Sequence, residues 1–478
     1  MRAKEKFGLV PTGQFAIFST LILVLSSFGV PHAIGQGNSI LPNNYSRLPV
    51  GSEPGLQGGA VLARTNDPNA NWYNPAGLAK ATRPSISGNA TLHDFTTISV
   101  DDGDANAGAS STGNFVGSVW NVGEQTASSG FSWGFSIVVP MQFKNTARSE
   151  STINEFGIDA VGLDDIDEPY YNLRAIESSS ASISMLAPGL TIASKLTSNL
   201  RVGIGVRAYL LNMAINENWT YFQEITEPPF YNEVGDFGFI GKATLLSFEG
   251  GVQFDLSDTM TMGATIRTGS TTLNSSGLYS YSDLNVHDLD YNADGVTDSR
   301  VSYFAKVLDE AVSFNYNLPT EFGIGFAWTS PKWEIEIDII SYSEVAQFEL
   351  VGSTERHWQY QDHDFAESGV ETTDPTLESA QAISNIRIGG LYKINESYRL
   401  NFGYYDDLSP QSEGTFDRID FVGLSFGLTK VTDKSATMIG LVSSTGTSAI
   451  DYETGTKLTN TNYRVSTIGL VLGGALYF

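Results

Sequence analysis

The segment "WEIEIDI", Trp333 to Ile339, limits the fold more than any other stretch. Trp333, Ile335, Ile337 and Ile339 fall on one side, and Glu334, Glu336 and Asp338 on the other. Alternation with period two marks a strand whose two faces meet different surroundings. Phe131, Trp133, Phe135, Ile137, Val139 and Met141 alternate in the same way with Ser132, Gly134 and Ser136. So do Val202, Ile204, Val206, Ala208 and Leu210 with Gly203, Gly205, Arg207 and Tyr209, and Val422, Leu424, Phe426 and Leu428 with Gly423, Ser425, Gly427 and Thr429. A soluble sandwich would also alternate. Two features point instead to a barrel in a membrane: the second face is rich in Gly, Ser, Arg and acids, as a polar lumen is, and the connections alternate between short and long.

Short turns lie near Ser198 and Asp258 and at 329–332, 394–397 and 432–435; long polar links lie at about 144–178, 223–239, 273–310, 350–381, 407–416 and 447–462. Between them fit fourteen strands, at 84–100, 113–123, 130–143, 180–195, 200–222, 241–256, 260–272, 313–328, 332–349, 382–394, 398–406, 417–431, 435–446 and 463–478. An even number puts both barrel ends, and every short turn, on one side. Trp328 and Trp333 flank "TSPK" where an interfacial aromatic girdle belongs. Closure leaves no unpaired strand edge in lipid. The expected fold is all-β: a 14-stranded antiparallel transmembrane β-barrel.

The start of the chain reads as a leader. Arg2, Lys4 and Lys6 precede the apolar run Phe15–Val30, and Ala33 and Gly35 have the spacing of a cleavage site, which makes 1–35 a signal peptide. A retained anchor is the alternative, but the run is short for a spanning helix, and no later run is long enough either. With 27 Lys and Arg against 53 Asp and Glu, the chain lacks the cationic balance that a nucleic-acid partner requires. The absence of cysteine removes disulfides and thiolate metal sites.

Residues 36–83 alternate little and hold Pro68 and Pro75, neither of which can donate to a sheet ladder. A barrel of fourteen strands is too wide for its own side chains to fill. An irregular segment with polar wall residues to bond can occupy such a bore. The division is therefore 1–35 signal peptide, 36–83 N-terminal hatch and 84–478 barrel.

The stretch "GLQGGAVLARTNDPNANWYNPAGL", Gly55–Leu78, resembles the hatch of the outer-membrane transporters of long-chain fatty acids and other hydrophobic compounds, the FadL/TodX family. Asn74, Pro75 and Ala76, followed by Gly77, match that family's Asn-Pro-Ala motif. "RIGGLYKINESYRLNFGYYDDLSP", Arg387–Pro410, and "NLPTEFGIGFAWTSPKWEIEID", at 317–338, resemble a hairpin and a Leu-Pro strand start of the same family. The final strand, ending on Phe478, resembles the signal by which barrel-assembly machinery recognises its clients. The resemblance implies passive uptake of a hydrophobic ligand such as a long-chain fatty acid. It also implies a monomer in outer-membrane lipid, gating by the hatch and a sideways opening at a kinked third strand. Gly134 and Pro140 are the residues here that would interrupt that strand.

Further candidates come from the residues themselves. Phe304, Val307, Leu308 and Ala311 stand at helical spacing in a long link, as a greasy capture helix or, equally, the start of a strand. Arg207, Arg267, Arg387 and Arg399 face inward by parity, either to hold a carboxylate head group or to brace the lumen against Glu334, Glu336 and Asp338. Asp290, Asn292, Asp294, Gly295 and Asp298 have the spacing of a calcium loop, although Val301 stands where that loop needs its last acid. His357 and His363 read as loop surface, and no cofactor is required. The rival functions are a general diffusion porin, a barrel enzyme such as a lipase, and a surface-binding adhesin. The enzyme lacks a convincing Ser/His/acid set.

Overall fold

The computed structural model describes residues 44–45, 49–100, 103–126, 129–156, 170–223, 231–289, 299–361, 366–411, 418–454 and 457–478. Residues 1–35, read above as a leader, and the acidic loop Asp290–Asp298, with Asn292 and Asp294, lie outside these described residues.

Among the described residues twenty strands run in chain order: β1 (Ser85–Val100), β2 (Gly103–Thr126), β3 (Ser129–Phe156), β4 (Tyr170–Lys195), β5 (Leu200–Gln223), β6 (Tyr231–Asp255), β7 (Met260–Arg267), β8 (Thr271–Leu289), β9 (Ser299–Val312) and β10 (Glu321–Thr329). They continue with β11 (Trp333–Tyr342), β12 (Val345–Val351), β13 (Glu355–Gln361), β14 (Ala366–Thr372), β15 (Thr376–Ala380), β16 (Ile383–Lys393), β17 (Tyr398–Asp407), β18 (Asp420–Val431), β19 (Ser435–Thr454) and β20 (Lys457–Tyr477). Fourteen of them, β1–β7, β10, β11 and β16–β20, form the wall, each antiparallel to its neighbours. The ring closes where β20 returns to β1, in a ladder from Ser85↔Tyr477 to Val100↔Tyr463.

The wall wears its apolar face outside. On β11, Ile337 and Ile339 are 48% and 46% exposed, whereas Glu336 and Asp338 between them are 0% exposed. That inversion of a soluble core is the mark of a transmembrane barrel. Aromatic rings collect on the outer surface at the short-turn rim. Trp120 stacks with Trp133 at 6.3 Å and with Phe478 at 6.1 Å, and Trp333 lies 4.5 Å from Tyr392.

At the other rim the strands run further than the alternation of large residues suggests. The long links read at 144–178, 223–239 and 447–462 are in good part continuations of β3, β4, β5, β6, β19 and β20. Their hydroxyl-rich residues pair in unbroken register, as in Asn145↔Ala181 to Ser151↔Ala175. Above a membrane both faces meet water or protein, so no apolar alternation is required of a strand there. The link at 273–310 is also largely sheet. The upper part of β6 pairs with β8, and β9, β13 and β14 follow in order, forming an extension above the wall; the lower part of β6 pairs with β7.

One reading is corrected here: Ser299–Val312 is strand β9, so Phe304, Val307, Leu308 and Ala311 form no helix. Phe304 and Leu308 point outward, 38% and 59% exposed, while Val307 is buried on the inner face. The i, i+3, i+4 spacing was outweighed by pairing with β8 on one side and β13 on the other.

The bore is occupied. From Val50 to Ala81 nearly every residue is buried, Leu56 and Leu78 completely. Short 3-10 turns at Pro54–Gln57 and Pro75–Lys80, and one helical turn at Ala70–Tyr73, are the only regular structure of this plug among the described residues. Its backbone comes so close to the wall that a Cβ on Gly203 would overlap Pro75 and Ala76, and one on Gly251 would overlap Asn74. Gly203→Val is expected to leave a folded barrel with a displaced plug. Planar-bilayer recordings should then show steady ion conductance where the parent protein shows little.

Candidate functional site: a cavity between the plug and the third strand

The Asn-Pro-Ala-Gly stretch is the knot of the plug. Asn74 is extended (φ −153, ψ 106), as a residue before proline must be, and Pro75 opens the following 3-10 turn, where its missing N–H costs nothing. The Asn74 amide donates to the Leu62 carbonyl at 2.8 Å and the Val252 carbonyl at 3.0 Å, and its oxygen accepts from the Ala76 N–H at 3.1 Å. One side chain thus ties two parts of the plug to β6. Gly77 packs against Thr65 where a Cβ would not fit.

The opposite flank is held by acids of β11. The Val61 and Leu62 N–H groups donate to Asp338 at 2.9 and 3.2 Å, and the Ala63 N–H to Glu336 at 2.5 Å. Arg64 adds an ion pair to Glu336 at 3.0 Å. Two of the three acids in "WEIEIDI" therefore satisfy plug backbone. The third, Glu334, lies 2.7 Å from Lys393 and 3.7 Å from Arg64.

Two of the arginines clamp Trp72. Arg207 and Arg267 lie over its ring at 4.9 and 4.3 Å, in the arrangement of a cation–π contact. Arg207 is fully buried and donates to Glu249 at 3.1 Å, to the Ala187 carbonyl at 3.1 Å and to the Asn71 carbonyl. Arg267 donates to Glu321 at 2.9 Å and to the Trp72 carbonyl at 2.8 Å. These two therefore chiefly brace the bore. Arg399 lies at the short-turn end, 3.7 Å from Glu53.

Directly above Trp72 and Tyr73 lies a cavity that is open at its mouth. Leu62, Trp72 and Tyr73 of the plug form its floor. Pro140, Met141 and Met185 line one wall; Arg267, Glu321, Tyr342 and Arg387 add polar groups. Of the sequence candidates, Pro140, Arg267 and Arg387 come together here, Arg207 lies just behind Trp72, and Phe304, Val307 and Leu308 are absent. Sequence reading missed Trp72, Met185, Tyr209, Glu249 and Glu321. The inward parity of Tyr209 and Glu249 was legible, but their convergence with the plug was not.

Pro140 also sits at an interruption of the wall. The β2–β3 ladder ends at Phe115↔Val138; beyond it β3 pairs with β4 and β2 with β1. The β3–β4 register slips between Val138 and Met141, so Met141 turns inward to face the cavity rather than continuing the outward row predicted for it. Gly134 lies lower, inside the intact ladder, where its missing side chain makes room for Asn71. Above the cavity, Phe143, Ile183, Met213, Phe239, Phe314 and Val307 belong to one apolar cluster that reaches up into the extension.

The extension also carries acids on this inner face. Tyr231 and Trp219 donate to Glu233, the latter at 2.7 Å, Tyr221 donates to Glu177, and Tyr281 to Asp283 at 3.4 Å. Burial first, and then the charge of Glu233, pushes the Asp283 carboxyl up to about 7. An acid whose folded pKa lies above its unfolded value binds more protons when folded. It therefore weakens the extension as pH rises from the usual carboxylate range through about 7, and adds nothing beyond. Amides of β8 and β9 should exchange faster at pH 8 than at pH 5 after correction for intrinsic rates, and Asp283→Asn should flatten that dependence.

No family model matches the chain, and no curated protein matches it. Solved structures do. A Pseudomonas aeruginosa FadL homologue aligns with a TM-score of 0.56 and 14% identity over 91% of this chain and 100% of its own. The CymD monoaromatic hydrocarbon channel aligns at 0.54 and 11% identity over 91% and 99%. The Pseudomonas putida toluene transporter TodX aligns at 0.53 and 15% identity over 91% and 99%. At such identity the likeness is one of fold: the chain has the barrel architecture of the FadL/TodX-like channels, none of which is an enzyme by description.

Proposed function

We propose that the protein is an outer-membrane channel for the passive uptake of hydrophobic small molecules, long-chain fatty acids or similar lipids and hydrocarbons. Its short turns face the periplasm and its long hairpins the outside. The observation that carries this reading is the position of the cavity, with the plug as its floor, an apolar cluster above it and the end of the β2–β3 ladder at its side. A ligand descending the apolar cluster reaches Trp72, where the plug blocks the direct way down. The gap above Phe115 and Val138 offers a sideways exit into hydrocarbon, which spares an apolar solute a passage through water. Movement of the plug about Asn74–Gly77 governs how long the ligand stays. The fatty-acid and hydrocarbon channels that share the fold support this over a diffusion porin, whose bore would be open, and over an adhesin, which would need no cavity.

Organic extraction of purified protein followed by mass spectrometry should recover an apolar molecule. Met185→Trp, which narrows the cavity, should lower that recovery about tenfold or more, in line with losing the burial of a small apolar ligand. Because the chain has no cysteine, a pair introduced as Asn114→Cys and Val139→Cys can be bridged selectively across the gap. Bridging with a short bis-maleimide should stop transfer of a fluorescent fatty acid from protein to surrounding bilayer while leaving its binding intact. Unchanged transfer would rule out exit at the third strand, and recovery of no ligand would rule out the cavity as a binding site.

A further inference from the structure

On β3–β5 the outward face changes character in a single step, while on β6 exposed Ile240 stands one outward step above Lys242, in the row of Ala214, Ser182 and Lys144. Exposed Leu190, Ile192, Ile204 and Phe248 cover the lower part of this face, and Leu186 and Leu210 are the uppermost of this apolar set, paired across β4 and β5. The next outward row up is Gln142, Ser184, Asn212 and Lys242, aligned across four strands by the pairs Gln142↔Ser184, Ser184↔Asn212 and Asn212↔Lys242. Lys144, paired with Ser182, stands one outward step above Gln142. Lys144 and Lys242 are exposed. Neither has an ion-pair partner among the described residues, unlike Lys80 and Lys393.

At the corresponding height elsewhere on the wall the outward residues are Ser341, Ser384 and Ser443, which follow exposed Ile339, Ile386 and Leu441, the acid Asp406 on β17, and a single exposed cation, Arg464, on β20. In a chain of formal charge −26, two ammonium groups on one stretch of the membrane boundary, with no ion-pair partner among the described residues, form a local concentration of positive charge. Strand spacing puts them about 15 Å apart with hydroxyl and amide side chains between them. The span suits a head group bearing two phosphates better than a single one, with Ser182, Ser184, Asn212 and Gln142 able to donate to sugar or phosphate oxygens. The apolar rows beneath would lie along its acyl chains. The face is continuous with the membrane-facing belt, so its occupant is a lipid and not a soluble protein.

We infer that the outer face of β3–β6 is a binding site for one phosphorylated glycolipid of the outer leaflet, held by Lys144 and Lys242. The assignment uses the orientation given above, with the long hairpins outside, and is independent of what the channel carries. It places an ordered lipid beside the end of the β2–β3 ladder.

The test is native mass spectrometry of protein purified from outer membranes in mild detergent. The parent protein should retain a diphosphorylated glycolipid. K144Q/K242Q should retain it about tenfold less or worse, while K430Q/K434Q at the short-turn rim should match the parent. Parent protein reconstituted with the same glycolipid after phosphatase treatment should lose it to a similar degree. That comparison decides the matter if the double variant does not fold. Equal retention by K144Q/K242Q, equal retention of the dephosphorylated lipid, or equal retention of phosphatidylglycerol would each overturn the assignment.

Discussion

A sheet in hydrocarbon cannot leave an edge, because each unpaired amide there costs several kcal/mol. The ladder that joins β1 to β20 meets that demand, and the rest of the molecule follows from it. Closing fourteen strands creates a bore wider than wall side chains can fill. Residues Val50–Ala81 take that space, and wall glycines such as Gly203 and Gly251 are the complement of their backbone. Where the wall does let two strands part, at Phe115 and Val138, the break lies next to the cavity above Trp72.

The charges of the interior follow the same logic. Burying a guanidinium or a carboxylate is costly unless each finds partners, and breaking such a pair costs about 3–5 kcal/mol. Arg207 and Arg267 share Glu249, and Trp72 lies under both. Glu336 Oε1 and Asp338 Oδ2 accept from plug N–H groups. These networks fix the plug against the wall, which leaves the cavity above it lined by apolar groups such as Met141 and Met185 and, to a similar extent, by polar ones such as Arg267, Glu321 and Arg387. A ligand entering such a site gains burial without having to break the brace below.

Much of this was legible in the sequence, for a physical reason. A wall between lipid and a polar bore must alternate strictly, so "WEIEIDI" and its counterparts disclosed strand, face and count at once. The same rule explains what was not legible. Beyond the membrane the constraint lapses, so the strand continuations and the β8–β9–β13–β14 extension carried no pattern, and the spacing of Phe304, Val307 and Leu308 suggested a helix. The slip at Val138–Met141 reverses parity within one strand, which put Met141 on the wrong face. The cavity was hidden for another reason: Leu62, Trp72, Met185, Arg267 and Arg387 lie far apart in the chain and meet only through closure.

The central claim is that hydrophobic molecules occupy the space between Trp72 and Pro140 on their way through the wall. Photolabelling with an alkyl chain bearing a terminal diazirine, followed by peptide mapping, tests it most directly. Adducts should fall on Met141, Met185, Leu318 and Trp72, and labelling should be competed by unlabelled probe. Adducts confined to the outer surface, or none on any of these residues at saturating probe, would contradict the account.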